Sequence, residues 1–259
     1  MKRALFYLAV ILMSVLLGLL LNNMEPKKVV KLLTVDTEYA YLMEKDAIGT
    51  IFFYLNQPQH KITSKEAISR VILHDQKKAS LVELNLYMIE KGHEEIYLNE
   101  SFTKYLLHFV LPRLSEDWVF EDAYVTIELS DQREYSIRLG RFTFFAKSSE
   151  EPYLDWTSLE GQKAKNDLRS RLKTIVITYA GSIKDIESIE IGSNVHLTYE
   201  TLEKTLTIHI PNDSYVLSYV PVIILYTDGS KDTISHFLFF NDYVMLKESG
   251  PMINVYALD

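Results

Sequence analysis

Ser101-Phe102-Thr103-Lys104 sets a hydroxyl three residues ahead of an amine. At the start of a helix that spacing puts a nucleophile and a base on one face, as acyl transfer requires. Here the four residues sit between strand-like runs, with no Ser-Asp-Asn or Lys-Thr-Gly element elsewhere in the chain. Neither Ser101 nor Lys104 is therefore assigned a catalytic role. His93-Glu94-Glu95 gathers donors suited to a divalent metal, but it lies in the polar, turn-like stretch 91–95. His93 is assigned no catalytic role either. The seven histidines, at 60, 74, 93, 108, 196, 209 and 236, show no ligand spacing such as His-Glu-x-x-His. With no cysteine, thiolate nucleophiles, thiol redox chemistry and cysteine-held metals are excluded. Asp228-Gly229-Ser230-Lys231-Asp232 begins like a calcium loop but lacks the later Glu and the length. A hairpin turn accounts for it. The sequence reads as non-enzymatic, with no catalytic residue, no cofactor and no metal.

The remaining candidates are aromatic. Trp118 and Trp156 are the only tryptophans, and Tyr153 lies close to Trp156. Each of the three suits packing, but Trp and Tyr also dominate many interfaces, so they are the candidate partner-binding residues.

Residues 4–21 contain no charge and follow Lys2 and Arg3. As a helix the run would span roughly 27 Å, close to the hydrocarbon thickness of a bilayer. No pair of small residues marks a cleavage site before Pro26, so the run reads as an uncleaved single-span anchor. The short leading segment and the lack of cysteine place the C-terminal body outside the cytoplasm. The net charge is −8, and the two positive charges before the run leave the body more acidic still. That balance disfavours nucleic acid as a partner.

Strand patterns dominate after residue 48. Val125, Ile127 and Leu129 alternate into a polar turn, and Val222, Ile224 and Tyr226 alternate into Asp228-Gly229. A shift of 97 positions superposes Val125 on Val222, Ile127 on Ile224, Asp131 on Asp228, Ile137 on Ile234 and Phe142 on Phe239. Upstream, Thr50-Ile51 resembles Thr174-Ile175. These matches indicate an internal repeat over 49–147 and 173–247, with the first copy longer in its early loops. The expected architecture is all-β: two tandem immunoglobulin-like β-sandwich domains behind a single N-terminal transmembrane helix. Its parts are an anchor (1–24), a juxtamembrane connector (25–48), sandwich 1 (49–147), a linker (148–172) and sandwich 2 (173–259). Capping-box spacing at Thr157-Ser158-Leu159-Glu160 predicts a short linker helix over 158–171.

The functional expectation is an extracytoplasmic, membrane-anchored accessory subunit that joins an integral membrane partner in transport or envelope assembly. The alternative is a sensor or adhesin for peptide or glycan, and an envelope hydrolase ranks third.

Overall fold

The computed structural model describes residues 13–14, 29–43, 47–146, 153–163, 172–211, 216–218, 220–234 and 245–258. Among the described residues, 18 strands fall into four sheets arranged as two sandwiches. The expected membrane helix over 4–21 lies outside the described residues, apart from 13 and 14. Among the described residues no helix is long and apolar enough to cross a membrane.

The first sandwich opens with β1 (Val30–Val35), β2 (Thr37–Leu42) and β3 (Ile48–Leu55). It continues with β4 (Ile68–Asp75), β5 (Leu81–Glu83), β6 (Asn85–Tyr97) and β7 (Glu100–Val110). A long hairpin, β8 (Trp118–Leu129) and β9 (Glu134–Phe145), follows. The second sandwich holds β10 (Trp156–Lys163), β11 (Leu172–Tyr179), β12 (Ile186–Ile191), β13 (Tyr199–Leu202) and β14 (Thr205–His209). After β15 (Val216–Ser218) come β16 (Val222–Tyr226) and β17 (Lys231–Ile234). The chain ends with a short helix, α1 (Met245–Ser249), and β18 (Ile253–Leu258).

In the first sandwich a five-stranded sheet, β18-β1-β3-β7-β6, faces a six-stranded one, β15-β2-β9-β8-β4-β5. Aromatic rings bridge the two, Tyr39 to Phe52 at 5.8 Å and Tyr41 to Phe109 at 6.0 Å between centroids. In the second, β10-β11-β14-β13 faces β12-β16-β17 around Ile175, Ile177, Ile189, Ile208 and Ile224.

Four parts of the expected organisation are corrected. First, residues 30–42 are not a connector. β1 lies between β18 and β3, and Leu32 and Leu33, which point to opposite faces, are both buried. Such a short apolar run is what a strand covered on both sides needs. Second, the C-terminal strand belongs to the first sandwich. β18 pairs with β1 along its whole length, from Val30 opposite Leu258 to Val35 opposite Ile253. Third, the two sandwiches are not strung in tandem, because the second is inserted between β9 and β18. β15 also returns to the first sandwich, parallel to β2. Fourth, the start of the expected 158–171 helix is the edge strand β10, paired with β11. A capping box satisfies two backbone amides, whereas the ladder serves the strand along its length, and Gly161 disfavours a helix. Residues 164–171 lie outside the described set.

A buried acid of the first sandwich, paired with Arg141 of the same sandwich, is reached by a hydroxyl of the second. Glu38 on β2 is fully buried and accepts from Arg141 Nη1 at 3.0 Å and from Ser193 Oγ at 2.5 Å. Gly192 fits beside it because a Cβ there would stand 2.5 Å from the Glu38 carboxyl carbon.

Candidate functional site

The lead into β10 is held by a buried acid. Asp232 on β17 is 1% exposed. Its carboxylate accepts from the backbone amides of Tyr153 and Leu154, and from the Tyr226 hydroxyl at 2.6 Å. Three donors offset the cost of burying the charge. Burial first, then Asp232, holds the Tyr226 hydroxyl well above its ordinary range, so it remains a donor. Leu154 fills the second core, and Ala180 donates its amide to the Asp155 carbonyl. The segment is therefore tied at Tyr153, Leu154 and Asp155 in succession.

Two aromatic side chains project from this fixed backbone. Tyr153 is 50% exposed and Trp156 is 42% exposed. Lys184 Nζ sits 4.2 Å from the centre of the Tyr153 ring, a cation–π contact. Tyr226 meets the same ring edge-on at 6.0 Å. Lys184 is itself bound to Asp228 at 2.8 Å and to Ser230 Oγ at 2.9 Å. The Lys184 hydrogen bond, with help from Ser230, holds the Asp228 carboxyl well below the usual carboxylate range, and Asp228 in turn raises Lys184. Both groups stay charged at neutral pH. Beyond Trp156, β10 is the outer strand of its sheet and exposes most of its side chains. The surface thus combines a held Tyr153 ring, an exposed Trp156, one cation and a strand edge unpaired among the described residues, the elements from which strand addition is built.

Tyr153 and Trp156 lie three residues apart on one short segment of the second sandwich, and Trp118 stands apart from them on the first. Trp118 begins β8 and packs against the first core, with its ring 6.2 Å from Phe120. Ser101 and Lys104 stand on β7, where an offset of three puts side chains on opposite faces. Ser101 Oγ donates to Glu94 at 3.3 Å, while the Lys104 ammonium lies 4.4 Å over the Phe52 ring. Burial lowers the Lys104 pKa and Glu95 partly restores it. His93 Nε2 lies 3.0 Å from Glu95 Oε1. Glu95 is buried beneath α1, accepting from the Tyr54 hydroxyl at 3.0 Å and the Leu246 amide at 2.8 Å. It secures the C-terminal segment to the sheet. Among the described residues no group of three or more His, Asp or Glu could hold a metal ion. A hollow of about 440 Å³ near His60, Lys61, Ser64 and Asp131 opens on the first sandwich, and Lys61 and Asp131 are paired across it at 2.9 Å.

Sequence reasoning reached Tyr153 and Trp156 through residue type alone. It missed the roles of Lys184, in a loop, and Asp232, on β17, which arise only when the fold sets them against Tyr153.

No protein family matches the chain, and no curated protein does. Solved structures with some likeness include the Bacteroides ovatus mixed-linkage glucan utilization protein SGBP-B in complex with a heptasaccharide. It is 13% identical, over 80% of this chain and 43% of that one, with a TM-score of 0.21. The sialic acid binding region of a Streptococcus sanguinis adhesin is 9% identical over 78% and 75%, with a TM-score of 0.22. A chimeric titin Z1Z2 tandem is 10% identical over 80% and 96%, with a TM-score of 0.19. The chain spans less than half the length of the first. Likenesses at this level carry no argument about ligand or activity.

Proposed function

We propose that the protein is a non-enzymatic binding protein, held at a membrane by residues 4–21 with its body outside the cytoplasm. Its second sandwich takes an extended segment of a partner polypeptide along β10, with Trp156 and Tyr153 as the anchors. The observation that carries this reading is the two half-exposed side chains on a backbone pinned by buried Asp232, at the head of a strand that is an edge among the described residues. Fixed rings lose little conformational entropy on binding, and a free edge supplies hydrogen bonds of fixed spacing. An accessory role beside an integral membrane protein is compatible with this arrangement.

A glycan lying on the two rings is the second reading, favoured by the cation that holds the Tyr153 ring in place. A photo-reactive residue at Thr157 in the full chain, in its native membranes, separates the two. Strand addition yields one discrete cross-linked polypeptide that disappears when Trp156→Ala is added. A cross-link indifferent to that change, or none at all, defeats the peptide reading. Binding to a glycan array that depends on Tyr153 and Trp156 would establish the second reading in its place.

A further inference from the structure

The turn between β6 and β7 is Tyr97-Leu98-Asn99-Glu100, closed by pairing of Tyr97 with Glu100. φ is +48° at Leu98 and +63° at Asn99. Two central residues of positive φ make this the hairpin turn that favours Asn, Asp or Gly. A Cβ-bearing leucine is strained in the left-handed region. Burial does not offset the strain, because Leu98 is 81% exposed, more than any other large hydrophobic residue described. Ile96, two residues earlier, is 69% exposed. Folding alone gives no reason for leucine at this tip, and unexplained strain points to function.

The tip adjoins the place where the N-terminal chain enters the first sandwich. Lys31 Nζ reaches Glu100 Oε2 at 2.6 Å. Asn56 Nδ2 donates to the Val29 carbonyl at 3.1 Å and to Glu100 Oε1 at 3.4 Å. Val29 is itself 54% exposed. Residues 22–28 are all that separate Val29 from the apolar run 4–21. Seven residues reach no further than ~25 Å even when fully extended. If residues 4–21 span a bilayer, this end of the sandwich is held close to its surface.

We propose that the β6–β7 tip rests in the membrane surface, with Leu98 and Ile96 entering the boundary between headgroups and acyl chains. This inference rests on the reading of residues 4–21 as an anchor. The occupant is lipid because the tip is an exposed hairpin turn bearing two apolar side chains and lies within reach of the chain's own apolar run. The anchor already holds the protein, so two side chains need only fix how the body stands on the bilayer. Tyr153 and Trp156, on the other sandwich, would then be set in a constant orientation.

The chain has no cysteine, so a single one can be labelled without ambiguity. Full-length chain carrying Leu98→Cys with a polarity-sensitive fluorophore is reconstituted in phosphatidylcholine–phosphatidylglycerol vesicles. Leu202→Cys, at a residue 74% exposed on the second sandwich, serves as the reference. The label at 98 is expected to shift to the blue and to be quenched by lipids spin-labelled near the headgroup, while the label at 202 is not. A protein retained after alkaline carbonate washing whose label at 98 is as aqueous as that at 202 overturns the proposal and leaves the anchor standing. A protein washed off by carbonate overturns both. A label at 98 shielded in native membranes but aqueous in pure lipid assigns the tip to a protein partner and also overturns it. Leu98→Asn supplies a further check: the thermal midpoint should rise, and a label at Ile96→Cys should become aqueous. A fall in the midpoint would show that Leu98 serves folding and would overturn the inference.

Discussion

Shifted by 97 positions, the pairing of β8 with β9 falls onto that of β16 with β17. Val125 faces Ile137 as Val222 faces Ile234, and Ile127 faces Tyr135 as Ile224 faces Asp232. The turns agree bond for bond. Leu129 donates its amide to the Arg133 carbonyl as Tyr226 does to Ser230, and Asp131 and Asp228 each accept the amide two residues on. The neighbouring strands keep the correspondence. β4 crosses β8 with an irregularity between Ile68 and Arg70, and β12 crosses β16 with one between Ile186 and Ser188. Thr50 faces His108 across β3 and β7, as Thr174 faces His209 across β11 and β14. The two sandwiches share one scaffold and differ in what it carries. Tyr135 occupies the position where the second copy has buried Asp232, the residue that fixes the Tyr153–Trp156 segment. The first copy instead adds β5 and lengthens the hairpin β6–β7, the counterpart of β13–β14, so that it ends at Leu98. A common register can therefore bear an aromatic surface in one copy and a longer, left-handed apolar tip in the other, because both lie at positions the core does not constrain.

The largest expected effect is at the joint. Glu38→Ala leaves Arg141, 14% exposed, with only the exposed Glu121 as partner and removes the acceptor of the Ser193 hydroxyl across the joint. It should cost about 3–5 kcal/mol. The two sandwiches should then unfold in urea as separate transitions, followed with Trp118 and Trp156 as single-tryptophan reporters. A single unshifted transition would show that the joint does not couple them. Next, Asp232→Ala removes the acceptor for three donors and should cost about 2–3 kcal/mol. Tyr135→Ala at the equivalent position should cost about 1 kcal/mol, since that side chain is only partly buried and packs at the margin of the core. Equal effects in thermal melts would refute the functional difference drawn between the copies.

The turns allow a reciprocal exchange. Gln132 at φ +70° and Gly229 at φ +82° occupy the same left-handed position. Gln132→Gly should stabilise by about 1 kcal/mol, and Gly229→Gln should destabilise by about as much. No atom lies within 4 Å of a Cβ built at Gly229, so the second change tests the backbone alone. Changes of the same sign in chemical denaturation would show that the turns are not equivalent.

The smallest effect concerns pH. Asp131 is held below the usual carboxylate range by Arg133 first and then Lys61, and Asp228 by Lys184 first and then Ser230. A depressed folded-state pKa stabilises above the unfolded value, about 3.9, and that contribution is lost as pH falls through the folded value. Asp228→Asn should therefore lower the urea midpoint slightly at pH 7 and leave it unchanged at very low pH. A difference that grows on acidification would contradict the assignment. Both carboxylates are exposed, so the effect is small.

Much of the fold was legible because its signals are local. Alternation at Val125–Leu129 and the dipeptide Asp228-Gly229 declare strands and a turn within ten residues, and the shift of 97 follows from them. The capping-box pattern at Thr157 misled for the same reason: a local helix start was outweighed by pairing with β11. Of the candidate surface, only the aromatic types at Tyr153 and Trp156 could be read. Asp232 lies 79 residues from Tyr153, and its role exists only when β17 and the lead into β10 meet.

By itself the sequence determined the strand content, the repeated hairpins and their turns, because side-chain period and turn chemistry act between near neighbours. It also determined the apolar run 4–21 and the absence of thiol chemistry. Only the tertiary structure decided that β18 returns to β1, that the second sandwich is an insertion, and that Glu38 and Asp232 are buried. It also set Leu98 strained and exposed beside Val29. These features depend on which distant segments pair, and a strand's alternating pattern specifies the face it buries without naming its neighbour.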